Sequence, residues 1–520
     1  MKKILLSITL VALLVSFNAC NKLDLAPEDY FGSGNFWKNT AQVDGAMIGL
    51  HSQLRDFQFT FYALGELRGG TLKEGTGATG SSSLNSGALI RQDIRESAPG
   101  ISSWAGLYRP IFDVNNFIFQ VEKATYLSDT NKSYFLGQAY GLRAFYYFHL
   151  YRTFGRVPLA TEPKVLANMP TSADQAYLPR AKTEKEVLDF IKSDVEKSVT
   201  SFNGDFTNKA QKALWSLGAT LMLKAEVYLW SAKVKIDGAA PTTTSTDLAA
   251  AREALELVIP KYSLQSNYAN VFAYNQKGNN EIILALRYAA GESTNFYGQF
   301  LYQASDNMTN FVDATGAALP ADPLLLAGGG AIIRYEYKYG LFEKYDTAFD
   351  KRARATFLDF YRKPVTSATK FILLRKFLGT VVDGKRSFSE DVPIYRLAEA
   401  YLMLAEVKNK QGQSPATEMD IIRKRAYGVS PFPAFISGSF EENELAILAE
   451  RDKELVGEGK RWYDLRRMQD ASGEPLAFRK DLPLVGVLDK ATETHKLLWP
   501  IDRATLTGDE TLKNDQNPGY

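Results

Sequence analysis

The sequence predicts a mainly α-helical protein, because its longest periodic segments repeat small and apolar residues at the spacing of a helix. Within residues 133–152, Gly137, Gly141 and Ala144 fall at positions i, i+4 and i+7, which places them on one face. A face of small residues lets a neighbouring helix approach closely. This segment therefore predicts a buried helix that packs tightly against a second one.

Two further segments show the same kind of face. In residues 209–233 it comprises Leu214, Gly218, Leu221, Ala225 and Tyr228, and in residues 393–410 it comprises Ala398, Tyr401 and Ala405. A companion helix follows at residues 414–428, and the pair covers roughly 37 residues, close to the tetratricopeptide unit of about 34. Other predicted helices are Phe36–Phe57, Ser103–Ala124, Thr183–Val199, Asp247–Val258, Ser439–Val456 and Lys460–Met468.

The segments between these helices have a different composition. Residues 71–87 are rich in glycine, serine and threonine and are predicted to form an exposed loop. Residues 291–385 show glycine clusters, little helical period and short β-like runs such as Phe371–Phe377. We expect this irregular region to lie against the helical scaffold, where binding residues concentrate.

The N-terminus has the pattern of a lipoprotein signal peptide over residues 1–19. Lys2 and Lys3 precede an apolar run of about 12 residues, which is too short to span a hydrocarbon core of about 30 Å. Cys20, the only cysteine of the chain, follows directly and is the predicted lipidation site. A plain secretory signal is the alternative, because Phe17 stands where a lipobox usually has leucine.

Charge and metal-ligand content exclude several classes of function. Removing Lys2 and Lys3 from the 61 basic residues leaves 59, which equals the 59 acidic residues. This balance gives no basic patch for a nucleic acid. Three distant histidines and a single cysteine argue against a zinc site. The triplet 328–330 of glycines lacks the lysine of a phosphate loop, so no cofactor is predicted.

A charged cluster near the C-terminus has two interpretations. Its members are Glu450, Arg451, Glu454, Glu458, Arg461, Asp464 and Arg466. Paired carboxylates are the catalytic groups of glycosidases. Here, however, acids and bases interleave at helical spacing, which lowers carboxylate pKa values and disfavours a general acid. We interpret the cluster as a structural ion-pair network and predict that the protein is not an enzyme. Arg143 and His149, on an aromatic-rich helix, are likewise assigned packing roles.

Several motifs together make the chain resemble the SusD/RagB family of Bacteroidetes surface lipoproteins. They occur in the family's order at Cys20–Asp29, Phe36–Val43, Trp104–Tyr108, Gly141–Leu150, Phe154–Leu159, Glu450–Leu455, Glu458–Arg466, Trp499–Asp502 and Gln516–Tyr520. The resemblance implies a SusD-like fold with four tetratricopeptide-like helix pairs plus an irregular region of loops and short strands. It places one domain at residues 20–520, with helical scaffold at about 36–260 and 390–470 and a ligand-side region at about 270–390.

The resemblance also implies a role on the cell surface. Such proteins are anchored in the outer membrane by N-terminal acylation, capture oligosaccharides and act as the lid of a SusC-like TonB-dependent transporter. Oligopeptides are the alternative ligand, because all six tryptophans lie in predicted helices or framework segments rather than in free loops. A surface glycosidase and a scaffold that binds only protein are more remote alternatives.

In the family, the ligand surface comes from the loop before the Trp104–Tyr108 helix and from the irregular middle region. Carried over position by position, this selects Arg91, Asp93, Arg95, Tyr288, Phe296, Tyr297 and Tyr302 as candidate ligand-binding residues. Tyrosine can both stack on a sugar ring and form hydrogen bonds to it. A mixture of tyrosine and arginine also suits a peptide backbone.

Overall fold

The computed structural model describes residues 36–75, 86–101, 104–163, 178–301, 311–319, 324, 333–428 and 431–520. The predicted signal peptide, Cys20, Tyr302 and the glycine triplet lie outside these residues, so the domain boundary at residue 20 stays a prediction. Within the described ranges there are 15 helices. They are α1 Thr40–Asp56, α2 Gln58–Glu66, α3 Gly87–Ile90, α4 Ala105–Lys123, α5 Asp129–Phe154, α6 Glu184–Phe202, α7 Leu217–Lys233, α8 Thr244–Val258, α9 Tyr339–Phe342, α10 Arg352–Thr356, α11 Leu397–Lys410, α12 Ala416–Tyr427, α13 Phe440–Glu454, α14 Arg461–Arg467 and α15 Arg503–Gly508.

The strands are short, and every pairing is antiparallel. They are β1 Leu72–Glu74, β2 Ile282–Leu286, β3 Phe311–Val312, β4 Tyr335–Tyr337, β5 Phe357–Arg362, β6 Lys370–Leu374, β7 Thr380–Val382, β8 Lys385–Ser387 and β9 Val392–Arg396. β1 pairs with β4, β2 with β9 and β7 with β8, whereas β5 lies between β3 and β6. The mainly α-helical fold is confirmed.

The long helices pack in pairs. α1 packs against α4, α5 against α6, α7 against α8, and α11 against α12. The predicted small-residue face of α5 brings its neighbours close: a Cβ added at Gly141 would lie 2.1 Å from the Trp215 indole nitrogen. A Cβ added at Gly137 would lie 2.9 Å from the Phe202 ring. The tight packing predicted for this face is therefore confirmed, and its partners are α6 and the segment before α7.

Side-chain caps fix where several helices begin. The Ser128 hydroxyl accepts the Asn131 N–H at 3.3 Å at the start of α5. At the start of α13, the Ser439 hydroxyl accepts the Glu442 N–H while the Glu442 carboxylate accepts the Ser439 N–H at 2.7 Å. This reciprocal arrangement satisfies two backbone groups that a helix end otherwise leaves unpaired.

Several local assignments differ from the sequence prediction. Within the predicted exposed loop at 71–87, residues 72–74 form β1 and Leu72 is buried. Residues 209–216 do not belong to α7, because Ser216 caps that helix by accepting the Ala219 N–H. Residues 393–396 form β9, whose backbone pairs with β2 instead of extending α11. Residues 58–66, outside the helices predicted above, form α2, with Phe61 and Tyr62 buried. For β9 a pairing with residues more than 100 positions earlier decides the local structure, whereas the start of α7 is set by its own cap.

A main hydrophobic core runs from the helical scaffold into the strand region, and a smaller separate cluster lies around Phe311, Phe360 and Phe371. The tryptophans belong to the main core: Trp104, Trp215, Trp230, Trp462 and Trp499 are buried, and Trp37 is half-buried.

Two polar residues of α5 are held by buried partners. Arg143 donates two hydrogen bonds to the Asp194 carboxylate, at 2.6 and 2.8 Å, and His149 contacts the Tyr463 hydroxyl at 3.1 Å. Their predicted packing roles are confirmed. Among the helices described, none is both long and apolar enough to cross a membrane.

Candidate functional site

The predicted ligand-side segments meet where β1 pairs with β4. Glu74 lies opposite Tyr335 in the register, and the Gly75 N–H donates to the Arg334 carbonyl at 2.8 Å. The loop before α4 and the irregular middle region are therefore adjacent in space. We call this surface the β1–β4 face and define it by Phe59, Glu74, Arg91, Phe296 and Tyr335.

Arginine and carboxylate side chains form the polar part of the β1–β4 face. Arg91 and Glu74 form an ion pair at 2.6 Å, with side chains 53% and 34% exposed. Nearby in sequence, Arg95 and Asp93 form a looser pair at 3.4 Å, and both are more than half exposed. Exposed pairs of this kind contribute about 0–1 kcal/mol to stability. Their groups can therefore exchange one partner for a ligand at little cost.

Aromatic rings form the floor of this face. The Phe296 ring is half-buried and lies 5.2 Å from the ring of Phe59, also half-buried, and 4.8 Å from that of Tyr62. The Tyr335 ring stacks on Phe300 at 5.4 Å, and its hydroxyl contacts the Ser86 hydroxyl at 3.0 Å. Burial raises the pKa of Tyr335, so this hydroxyl remains protonated at neutral pH.

The two candidate tyrosines that the structure describes lie beneath the surface. The Tyr297 ring stacks on Phe377 at 4.0 Å, and its hydroxyl donates to the Gly457 carbonyl. The Tyr288 hydroxyl donates to Gln58 Oε1 at 2.7 Å, and the ring is 4% exposed. Burial raises the pKa of both hydroxyls. Tyr297 supports the floor from below, because its ring lies 4.3 Å from that of Phe296, and a direct contact with ligand stays a prediction for both tyrosines.

Sequence reasoning did not select three residues of the β1–β4 face. Phe59 lies on α2, outside the helices predicted from the sequence. Glu74 and Tyr335 were not selected because their importance comes from the β1–β4 pairing, which joins segments about 260 residues apart. Residues 335–337 do alternate tyrosine with glutamate, which is the pattern typical of a short strand.

The C-terminal charged cluster is a buried ion network rather than a catalytic pair. Arg396 contacts Glu454 at 2.7 Å and Arg352 contacts Glu450 at 2.7 Å, all without solvent exposure. Burial alone would raise the pKa of Glu454, but Arg425, Arg396 and Arg352 hold it well below its usual range. The structural interpretation is confirmed, but the partners come mostly from other elements rather than from helical neighbours.

One member of that cluster departs from the prediction. Arg466 is 6% exposed and has no carboxylate of the described residues within 4 Å. Its guanidinium donates to the Arg152 carbonyl and lies 5.0 Å from the centre of the Trp230 ring. Across the described ranges, no group of three or more His, Cys, Asp or Glu side chains is placed to hold a metal ion.

Comparison with known proteins identifies two matching families. The SusD family matches residues 350–520, and a family described as starch-binding associating with outer membrane matches residues 69–229. The second match contains Glu74, Arg91, Asp93 and Arg95.

Individual relatives match nearly the whole chain. A SusD superfamily protein of Bacteroides fragilis NCTC 9343 is 38% identical with a TM-score of 0.84, covering 93% of this chain and 100% of that one. NanU of B. fragilis is 32% identical with a TM-score of 0.79, covering 95% and 100%. SusD-like protein P38 of Formosa agariphila is 25% identical over 530 residues, which is 96% of each chain.

Proposed function

This chain belongs to the SusD/RagB family, and from that premise we propose that it binds oligosaccharides at the cell surface for a SusC-like TonB-dependent transporter. It acts as the lid of that transporter and catalyses no reaction. The match to a starch-binding family associated with the outer membrane supports the ligand class and the location. The anchor in this proposal is a lipid on Cys20, the only cysteine.

The observation that carries the ligand assignment is the combination of groups on the β1–β4 face. The half-buried Phe296 and Phe59 rings offer apolar area to the C–H face of a sugar. Beside them, Arg91 supplies paired N–H donors and Glu74 supplies paired acceptors. A carbohydrate requires both kinds of group: aromatic rings that stack on its C–H face, and adjacent charged groups that form hydrogen bonds with its hydroxyls.

An oligopeptide ligand is the second candidate, and one observation favours it. None of the six tryptophans is exposed at the β1–β4 face; five are buried in the core and Trp37 packs against Phe117. The flat indole platform that suits a sugar is therefore absent among the described residues of this face. A peptide backbone would use the same Arg91 and Glu74 groups for its carbonyl and N–H groups.

A pair of variants tests the proposed site. We expect Arg91→Gln and Phe296→Ala each to weaken binding of the active oligosaccharide at least tenfold, which is the effect of losing about 1.4 kcal/mol at an interface. Arg252→Gln is the matched control, because Arg252 pairs with Glu256 at 2.7 Å on α8 and lies outside this face. Unchanged affinity in a folded Arg91→Gln protein would reject the β1–β4 face as the binding site.

A further inference from the structure

A cavity separate from the β1–β4 face lies among the ends of several helices. Its volume is about 580 Å³, within the range of small-molecule pockets of roughly 300–1,000 Å³. The lining comes from the end of α5, the start of α6, the end of α7, α14 and the C-terminal segment. None of the residues that define the β1–β4 face contributes to it.

Arg466 is a buried cation of this cavity with no carboxylate of the described residues within 4 Å, although the charge of Glu184, in the same lining, acts on it from further away. Two other cationic groups of the lining are neutralised, because Arg156 contacts Asp515 at 2.5 Å and Lys235 contacts Glu474 at 2.8 Å. Arg466 instead donates only to a backbone carbonyl, although it is almost fully buried. Burial of a guanidinium without an anion is costly, and it lowers the pKa of Arg466 to about 10.

Aromatic rings lie next to this guanidinium. The Trp230 ring lies 5.0 Å from the Arg466 guanidinium carbon, and the Tyr151 and Phe478 rings also line the cavity. Trp230 is 1% exposed, and its indole N–H forms a hydrogen bond with the Tyr151 hydroxyl. Phe478 is half-buried and is the ring that offers apolar surface to the cavity. The cavity therefore presents a buried cation beside a flat apolar surface.

An acidic group completes the set on the side of α6. Glu184 lines the same cavity, and no cation of the described residues lies within 4 Å of its carboxylate. Burial, and then the charge of Asp237, raises the pKa of Glu184, whereas the more distant charges of Arg466 and Arg180 lower it. Asp237 itself accepts the N–H groups of Glu184 and Lys185 at 2.7 and 3.2 Å. Glu184 is thus the acceptor left to receive a hydroxyl of a ligand.

We propose that this cavity is a second binding site, which takes a carboxylate-bearing sugar of monosaccharide size with its carboxylate on Arg466. A planar guanidinium binds a carboxylate through two parallel hydrogen bonds, which is the interaction that Arg466 lacks within the protein. The sugar ring packs against Phe478, and its hydroxyls donate to Glu184. A neutral sugar would leave Arg466 without a carboxylate to bind, and an inorganic anion would leave the Phe478 ring unused.

Calorimetry on the folded protein with D-glucuronate, D-glucose and inorganic phosphate tests this assignment. We expect glucuronate to bind at least tenfold more tightly than glucose or phosphate, and Arg466→Gln to reduce its affinity at least tenfold. Arg156→Gln, which lines the same cavity with its charge paired, is the control and is expected to change affinity less than threefold. Equal binding of glucose, binding of phosphate alone, or no binding of glucuronate overturns the proposal.

A second variant keeps the test decisive if Arg466→Gln does not fold. Thr494 lies at the lining with its side chain exposed, so Thr494→Trp fills the cavity without disturbing the core. We expect it to abolish glucuronate binding, whereas Phe296→Ala retains it. Retained affinity in Thr494→Trp would contradict the cavity assignment. Loss of glucuronate binding in Phe296→Ala would place that ligand on the β1–β4 face instead.

Discussion

Arg396 donates two hydrogen bonds to the Glu458 carboxylate, from Nε and from Nη2, each at 2.8 Å. The ammonium group of Lys376 contacts the same carboxylate at 2.5 Å. Arg396 ends β9, Glu458 follows α13 and Lys376 follows β6, so one carboxylate connects the strand region to the C-terminal helices. Because all three side chains are buried, this connection is sensitive to the loss of any one charge.

We therefore expect Glu458→Gln to lower the free energy of unfolding by about 3–5 kcal/mol, the usual result of leaving buried cations unpaired. Burial alone would raise the pKa of Glu458, but Arg396 and Lys376 hold it below its usual range. Its stabilising contribution is thus present above the unfolded pKa and is lost as the pH falls through the folded pKa. Urea unfolding measures the change.

The matched control for that variant is Glu256→Gln on α8. The Glu256 side chain is 52% exposed and pairs with Arg252 at 2.7 Å, so its loss is expected to cost less than about 1 kcal/mol. Ligand affinity of folded Glu458→Gln protein is expected to be unchanged. A Glu458→Gln protein of native stability that no longer binds ligand would instead assign this carboxylate to the binding site.

The contribution of Glu66 to stability depends on pH with the opposite sign to that of Glu458. Burial raises the pKa of Glu66 to about 7, although the Tyr337 hydroxyl, which donates to it at 3.0 Å, opposes the shift. The neutral Glu66 carboxyl contributes fully to folding stability below its unfolded pKa of about 4.5. This contribution is lost as the pH rises through the folded pKa of about 7. Glu66→Gln should reduce the stability difference between about pH 5 and pH 8 by about 2.5 kcal/mol.

Unfolding curves of the wild type and Glu66→Gln at the two pH values test this expectation. The comparison cancels other groups that titrate in this range, such as Glu390, whose pKa is also raised by burial to about 7. Identical pH dependence in the two proteins would show that Glu66 does not change its protonation in this range.

The approach of Trp215 to α5 leads to a packing prediction. The methyl group of Gly141→Ala would lie only about 2 Å from the indole nitrogen of Trp215. We therefore expect this substitution to reduce stability by about 1–3 kcal/mol. Gly49→Ala is the control, because a Cβ there meets nothing within 4 Å on the exposed face of α1. That substitution is expected to stabilise by about 0.5–1 kcal/mol. Thermal unfolding compares the two, and equal melting temperatures would contradict the packing argument.

The proposed anchor predicts the behaviour of Cys20→Ser. A buried acyl methylene contributes about 0.8 kcal/mol, so several acyl chains hold a protein on a membrane effectively permanently. The variant is expected to fold but to leave the membrane fraction in cells that lack the transporter. Fractionation of such cells measures this, and continued membrane retention would reject lipidation at Cys20.

Much of the helical scaffold can be predicted from the sequence because its signals are local. Residues only three or four positions apart reveal two of its features, which are the small-residue face of α5 and the interleaved charges near α13 and α14. β9 could not be predicted in this way, because residues 392–396 pair with β2, more than 100 residues earlier. The same limit applies to the β1–β4 face, where Arg91 follows from the family resemblance but its partner Glu74 does not.

The burial of a side chain does not follow from residue type. Tyr288 and Tyr297 are buried, and their hydroxyls bond α2 and the segment after α13, while a contact of either with ligand stays a prediction. Arg466 is another example. Its position in a charged segment predicts an ion pair, but its neighbours Asp464 and Arg467 pair with each other at 2.9 Å and leave Arg466 without a carboxylate.

The most direct test of the central claim is calorimetry of the folded mature chain against an oligosaccharide panel and a peptide mixture. We expect heat from an oligosaccharide and none from peptides, with affinity reduced at least tenfold, or by about 1.4 kcal/mol, in Arg91→Gln and unchanged in Arg252→Gln. If neither panel binds, the same titration is repeated on the complex with the transporter. Heat from peptides alone, or no oligosaccharide binding by that complex, would contradict glycan capture at the β1–β4 face.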